Sequence, residues 1–173
     1  MKKTNTNVNR VRLRLFKDKD LMFTQGLLCD DTTRRYFPML GAKTGGQAAI
    51  TLDRWLEDQR WGYDLRYVIE DNETRTPVGV ITGTYPKDED TKTALDLAVL
   101  VHPAYRGQGY AKDGILAYIK KMKRMKPEIK KYRMIIEESN KSSQAVAKKL
   151  EFTLKETKIS ERTNTEFQYW EDR

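Results

Sequence analysis

The chain of 173 residues holds one cysteine, Cys29, and one histidine, His102. A lone cysteine excludes an intramolecular disulfide, and the pair excludes a metal site assembled from several Cys or His ligands of this chain. No metal is expected, and no motif supports a carboxylate site for magnesium. Nothing approaches the run of about 20 apolar residues that crosses a bilayer. The opening Met1-Lys2-Lys3-Thr4 continues polar, without an apolar stretch of signal-peptide length. A soluble, cytoplasmic protein with no membrane partner is expected. Proline is sparse, at five residues, and internal repeats and low-complexity linkers are missing.

Charge is plentiful: 34% of the residues are charged and the net charge is +8, beside 38% hydrophobic and 10% aromatic residues. That balance supports one globular domain over residues 1–173, with Met1 to Asn9 as a flexible N-terminus. Lys120, Lys121, Lys123, Arg124, Lys126, Lys130, Lys131 and Arg133 form a basic stretch. It invites a nucleic-acid partner, but Ile119, Met122, Met125 and Ile129 interrupt it at the spacing of an amphipathic helix with a solvated face. Solvated surface is the simpler reading. Cys29 reads as a small buried hydrophobe.

Alternation in Val-Arg-Leu-Arg-Leu-Phe predicts a strand over Val11 to Phe16. Asp18 or Asp20 then caps a helix bearing Leu21, Met22, Leu27 and Leu28. A second helical piece runs from Thr32 to Met39, and a third from Gln47 to Arg60 bears Ile50, Leu52, Trp55 and Leu56. Strands follow at Leu65 to Glu70, Val78 to Tyr85 and Ala94 to Val101. The turns between them, Asp71-Asn72-Glu73 and Pro86 to Asp90, make an antiparallel meander. Beyond Val101 the order becomes helix (Gly109 to Met125), strand (Tyr132 to Glu138), helix (Asn140 to Leu150) and two closing strands, Phe152 to Ile159 and Thr165 to Trp170. That order implies a parallel pairing of the strand before the loop with the strand after its helix.

The loop Val101-His102-Pro103-Ala104-Tyr105-Arg106-Gly107-Gln108-Gly109-Tyr110-Ala111 is built for an anion. Glycines at alternate positions permit φ > 0, so successive N–H groups can converge on one oxygen cluster, and the following helix adds its free N-terminal donors. Phosphate loops of the nucleotide-binding type do not match. A P-loop ends Gly-Lys-Ser/Thr, whereas Gly109 precedes Tyr110-Ala111-Lys112, and the third glycine of a dinucleotide fingerprint would fall at Lys112.

Arg106-x-x-Gly109-x-Ala111, preceded by Val99-x-Val101-x-Pro103 and followed by Asn140-x-x-Ser143-x-x-Val146-Ala147-x-Lys149-Leu150-x-Phe152, resembles the GNAT superfamily of acetyl-CoA-dependent N-acetyltransferases. The element order over nearly the whole chain is similar to that superfamily's. In motif style, Arg12 to Leu15, Gly109-Tyr110-Ala111 and the Asn140, Ser143 pair look like the branch of ribosomal-protein N-terminal acetyltransferases. The resemblance implies an α+β fold: a mixed, mostly antiparallel sheet of about seven strands, helices on both faces, and strands splayed at the cofactor site near Val101 and Glu138.

The resemblance also implies a site. Backbone groups of Gly107, Gln108, Gly109, Tyr110, Ala111 and Lys112 would receive the CoA pyrophosphate with Arg106 beside it. The main chain of Val99, Leu100 and Val101 would pair with the pantetheine, and Asn140 and Ser143 would reach the cofactor from the other side, their alternative role being helix capping. An amine acceptor, a small molecule or a protein N-terminus, would attack the acetyl carbon directly. Many relatives place a tyrosine where this chain has Ala147, which leaves Ser143 or water to protonate the thiolate. Candidate bases are Asp96, a carboxylate on an otherwise apolar strand face or else half of an ion pair, and Glu137 or Glu138. His102 reads as loop structure. Glu151 stands where the pattern has glycine before Phe152. Arg34, Arg35, Tyr36, Trp55, Trp61 and Tyr63 could line the acceptor cleft. A non-catalytic acyl-CoA-binding protein on the same fold is the alternative, and the chain is a monomer or a homodimer paired through its closing strands.

Overall fold

A computed structural model describes residues 10–62, 65–87 and 92–173. Met1 to Asn9, Tyr63 and the Asp88 to Asp90 part of the second turn, for which expectations were stated, lie outside the described residues. The strands are β1 (Val11–Arg14), β2 (Arg66–Asp71), β3 (Pro77–Thr84), β4 (Ala94–Val101), β5 (Lys131–Glu137), β6 (Thr153–Ser160) and β7 (Thr165–Glu171). The helices are α1 (Leu21–Leu28), α2 (Asp31–Tyr36), α3 (Gly45–Arg60), α4 (Tyr110–Met125) and α5 (Lys141–Lys149), with 3-10 turns at Asp18–Asp20 and Pro103–Tyr105. The strands form one seven-stranded sheet in the order β1-β2-β3-β4-β5-β7-β6. β1/β2, β5/β7 and β6/β7 are antiparallel, and β4/β5 is the parallel pair that the strand-helix-strand order predicts.

The chain divides into two compact units: the residues up to Ile81 with Val99–Tyr118, and Thr82–Ala98 with Ile119–Arg173. In the first, the hydrophobic core gathers Phe16, Leu27, Leu28, Leu52, Trp55, Leu56, Val68, Val80 and Leu100. α3 contributes Ala48, Leu52, Trp55 and Leu56, one face at helical spacing, and starts where the Thr44 hydroxyl accepts from the Gln47 amide. Ile50 and Met22, expected on the apolar faces, are instead exposed at 61% and 76%. Ile50 falls between the turns that supply the buried stripe of α3.

β4 departs from strict alternation. Leu95 and Leu97 are buried, but the next buried residue is Leu100, and Val99 and Val101 are half-buried. The burial phase thus shifts by one residue between Leu97 and Leu100, so Val99 and Val101 do not share the deep face that alternation gives them. Gly79 on β3 accommodates the shift: a Cβ there would lie 2.5 Å from the Leu100 carbonyl oxygen.

In the second unit the parallel ladder joins Ala94–Lys131, Leu95–Tyr132 and Asp96–Arg133 and ends there, although β4 runs on to Val101 and β5 to Glu137. Tyr132, Met134 and Ile136 form the buried face of β5, with Ala147 and Trp170 buried on α5 and β7. β6 closes the sheet edge and is exposed or half-buried along its full length.

Candidate functional site

The loop between β4 and α4 is held from its base. The His102 amide donates to the Val78 carbonyl at 2.9 Å, and His102 Nδ1 accepts from the Ala104 amide at 3.3 Å. Its ring lies between those of Phe23 and Tyr105, with centroids 5.9 and 5.8 Å away. Burial, then the charge of Arg106, lowers the imidazole pKa against the opposing pull of Asp30. The ring is therefore a neutral acceptor that caps the Pro103–Tyr105 turn, which is loop structure.

Gly107 and Gly109 sit at φ of 75° and 87°, the left-handed region that the motif anticipates. At Gly107 a Cβ would meet nothing within 4 Å, so the dihedral and not crowding requires glycine. The first helical bond of α4 runs from the Asp113 amide to the Gly109 carbonyl at 3.1 Å. Every amide from Gly107 through Lys112 lacks a hydrogen-bond partner among the described residues. A helix start leaves about four donors free; here the glycine loop extends the run to six.

Arg106 is engaged from both sides. Its Nε donates to the Val101 carbonyl at 3.1 Å and its Nη2 to Asp30 Oδ2 at 2.6 Å. Asp30 also caps α2 by accepting from the Thr33 amide at 2.9 Å. Burial raises the Asp30 pKa, and the bonds from Arg106 and Thr33 more than reverse this, so the carboxyl stays below its ordinary value. Arg106 is thus a strut joining β4, its loop and α2, with Nη1 left without a partner among the described residues.

Arg10 and Asp71, which sequence reasoning did not single out as site residues, also grip the loop. Arg10 Nη1 donates to the Gln108 carbonyl at 2.5 Å, and the guanidinium lies 3.9 Å from the Tyr110 ring centroid. The Tyr110 hydroxyl donates to Asp71 Oδ2 at 2.7 Å. Asp71 Oδ1 accepts from the Glu73 and Thr74 amides at 3.0 and 2.9 Å, closing the β2–β3 turn. The Thr74 amide, then Tyr110, hold the Asp71 carboxyl below its ordinary pKa, while burial pushes the Tyr110 phenol up. The available signal was the basic residue at every second position, Arg10, Arg12 and Arg14. Arg12 and Arg14 meet at buried Glu70, and Arg14 also forks onto Asp20 at 2.7 and 2.8 Å.

The acid–base candidates lie in the other unit. Asp96 accepts from Arg133 Nε at 2.7 Å and Nη2 at 3.1 Å, a two-point fork across the last rung of the β4/β5 ladder. Glu138 pairs with Lys141 on the surface, and its carbonyl accepts from Gln144 Nε2 at 2.6 Å. Glu137 accepts from the Ser139 hydroxyl at 2.5 Å. Asn140 is buried, and its Oδ1 accepts from the Ser143 amide at 3.2 Å and the Ser142 hydroxyl at 2.9 Å, an N-cap for α5. The half-buried Ser143 hydroxyl has no partner among the described residues. Ala147 is fully buried.

Of the aromatics assigned to an acceptor wall, Trp55 belongs to the core, 5.1 Å from Phe16 and beneath the Arg66 guanidinium. Trp61 is 68% exposed and lines a hollow of about 540 Å³ with Asp18, Asp53, Leu56, Glu57 and Arg60. Arg34 pairs with Asp31, and Arg35 lies over Tyr36. No cluster of three or more potential metal ligands occurs among the described residues. Among them, too, no helix is long and apolar enough to cross a membrane.

Solved structures share this fold. A GNAT-family acetyltransferase from Bacillus anthracis superposes with a TM-score of 0.78 at 17% identity, covering 94% of this chain and 94% of that one. RimL, a ribosomal L7/L12 alpha-N-protein acetyltransferase solved with coenzyme A, gives 0.75 at 16% identity, covering 94% and 93%. Aminoglycoside acetyltransferase AAC(6')-Ib, also solved with coenzyme A, gives 0.74 at 16% identity over 94% of each chain. No curated protein sequence matches. The family model for the acetyltransferase (GNAT) domain matches residues 10–153, and with the seven-stranded sheet, its parallel β4/β5 pair and the glycine loop at α4, the chain belongs to the GNAT acetyltransferases.

Proposed function

We propose that the protein uses acetyl-CoA to acetylate a primary amine, either on a small molecule or at a protein N-terminus. The observation that carries this reading is the run of six amides, Gly107 through Lys112, with no protein partner at the start of α4. Such a run fits a pyrophosphate, whose oxygens accept several N–H bonds at once and gain from the helix dipole. Coenzyme A bound in two relatives of the same fold agrees with it. When bound, acetyl-CoA would supply an acetyl group already activated as a thioester.

The chain's own contribution is mainly to hold both reactants in place. Backbone amides of Gly107, Gln108, Gly109, Tyr110, Ala111 and Lys112 would bind the phosphates. Val99, Leu100 and Val101, beyond the end of the parallel ladder, would offer main-chain groups to the pantetheine. Holding an amine near the acetyl carbon can supply several kcal/mol of the barrier reduction, up to about 7–11 in well-oriented systems. The amine must also shed a proton. Of the acid–base candidates, Ser143 fits a proton relay best, because its hydroxyl is free while Asp96 and Glu138 are held by Arg133 and Lys141. Asn140 supports Ser143 by fixing the first turn of α5.

Calorimetry with acetyl-CoA, followed by assay of CoA release with peptides, polyamines, amino sugars and amino acids, tests the proposal. Binding plus turnover with at least one amine class is the expected result. Binding with no turnover across the panel would favour the non-catalytic acyl-CoA-binding alternative, for which the alanine at position 147 is the argument. Absence of both would remove the CoA reading.

A further inference from the structure

We infer that Arg10 is a positioning residue for the pyrophosphate loop, which it serves by fixing the direction of the peptide between Gln108 and Gly109; this rests on the CoA reading above. In a trans peptide the carbonyl and the N–H point in opposite directions. Arg10 Nη1 holds the Gln108 carbonyl at 2.5 Å, so the Gly109 amide is turned to the opposite side. Little else restrains that peptide. Gly107 and Gly109 flank it, both at positive φ, and neither carries a side chain that would resist rotation. Among the described residues the one other tether is Gln108 Nε2 on the Ala104 carbonyl at 3.3 Å.

The clamp is itself rigidly mounted. The Arg10 carbonyl accepts from the Asn72 amide at 2.8 Å, which fixes its backbone to the β2–β3 turn. Its guanidinium rests on the Tyr110 ring, and Asp71 holds that ring in place through the hydroxyl. Asp113 Oδ2 stands 3.5 Å from Nη1, so part of the positive charge is balanced on the helix side. One residue ahead of β1 therefore determines where a loop 98 residues further on directs its donors.

A role confined to the pyrophosphate predicts a difference between two acetyl donors, acetyl-CoA and acetyl-pantetheine, which lacks the phosphates. For Arg10→Ala we expect the KM for acetyl-CoA to rise about tenfold or more, the loss typical of a hydrogen bond from a charged donor. The kcat with acetyl-CoA, and the kcat/KM with acetyl-pantetheine, should stay within about twofold of the unmodified protein. Arg10→Lys, which keeps a cation able to reach one carbonyl, should recover part of the acetyl-CoA affinity. Unchanged KM for acetyl-CoA in both variants overturns the inference. So does an equal loss with both donors in Arg10→Lys, the variant that decides if Arg10→Ala fails to fold. Failure of the unmodified protein to prefer acetyl-CoA over acetyl-pantetheine overturns the CoA reading itself and this role with it.

Discussion

Asp96 shows how a residue can be singled out by its own strand and explained only by another. Alternation along β4 marks it as a carboxylate among apolar neighbours, which made it a candidate base. The residue that engages it, Arg133, lies 37 positions later on β5 and approaches both carboxylate oxygens. Both side chains are largely buried, at 20% and 11% exposure, so removing one partner costs more than it would at a surface ion pair. Asp96→Asn is expected to lower unfolding stability by about 1–3 kcal/mol, since it replaces the charged acceptor of the two-point fork with a neutral amide. The shape of the pH–rate profile should not change. Urea denaturation and kcat/KM against pH check both; loss of the acidic limb, where the base becomes protonated, at unchanged stability would make Asp96 the base. The Arg106–Asp30 strut and the Arg10–Gln108 clamp were hidden for the same reason. Their partners lie 76 and 98 residues apart, and no local period encodes a contact at that range.

Elements were far more legible than contacts, because each carries its own signal. β4 was located to the residue, and α3 and α4 began and ended within two residues of their sequence boundaries, since caps, glycines and apolar spacing mark helix ends directly. Phase within β4 was not legible. Strict alternation presumes an undisturbed pleat, and this strand shifts by one residue past the end of its parallel ladder. The end of α5 keeps the family's turn in spite of a departure in sequence. Glu151 has φ of 60°, the left-handed conformation that the glycine of the family pattern would occupy without strain. Its amide donates to the Lys148 carbonyl at 3.0 Å and the Phe152 amide to Ala147 at 3.0 Å, the paired bonds of a Schellman motif. The helix end is thus formed correctly by a residue whose Cβ opposes it. Glu151→Gly should raise stability by about 1 kcal/mol, the usual cost of the left-handed region for an L-residue. That corresponds to a rise of about 2–4 °C in Tm for a chain of this size. Thermal unfolding followed by circular dichroism measures it; no change or a fall would show that Glu151 makes a compensating contact.

At the scale of the whole chain, charge is the property that sequence alone fixes and that no single contact expresses. A net charge of +8 is large for 173 residues, and the proposed donor carries its phosphates as anions. Opposite net charges speed diffusional encounter, and this long-range attraction weakens as the Debye length shortens to about 10 Å at 0.1 M salt. Once the donor is bound, short hydrogen bonds to the Gly107 to Lys112 amides would be screened much less. Steering and holding therefore respond differently to salt. The association rate constant for CoA should fall several-fold between about 20 and 200 mM ionic strength, while the dissociation rate changes little. Stopped-flow measurement with a fluorescent CoA analogue separates the two rates. If the salt dependence fell on dissociation instead, exposed side-chain ion pairs and not the backbone amides would hold the phosphates. The basic stretch from Lys120 to Arg133 would then be the first place to look for them, since much of it is exposed.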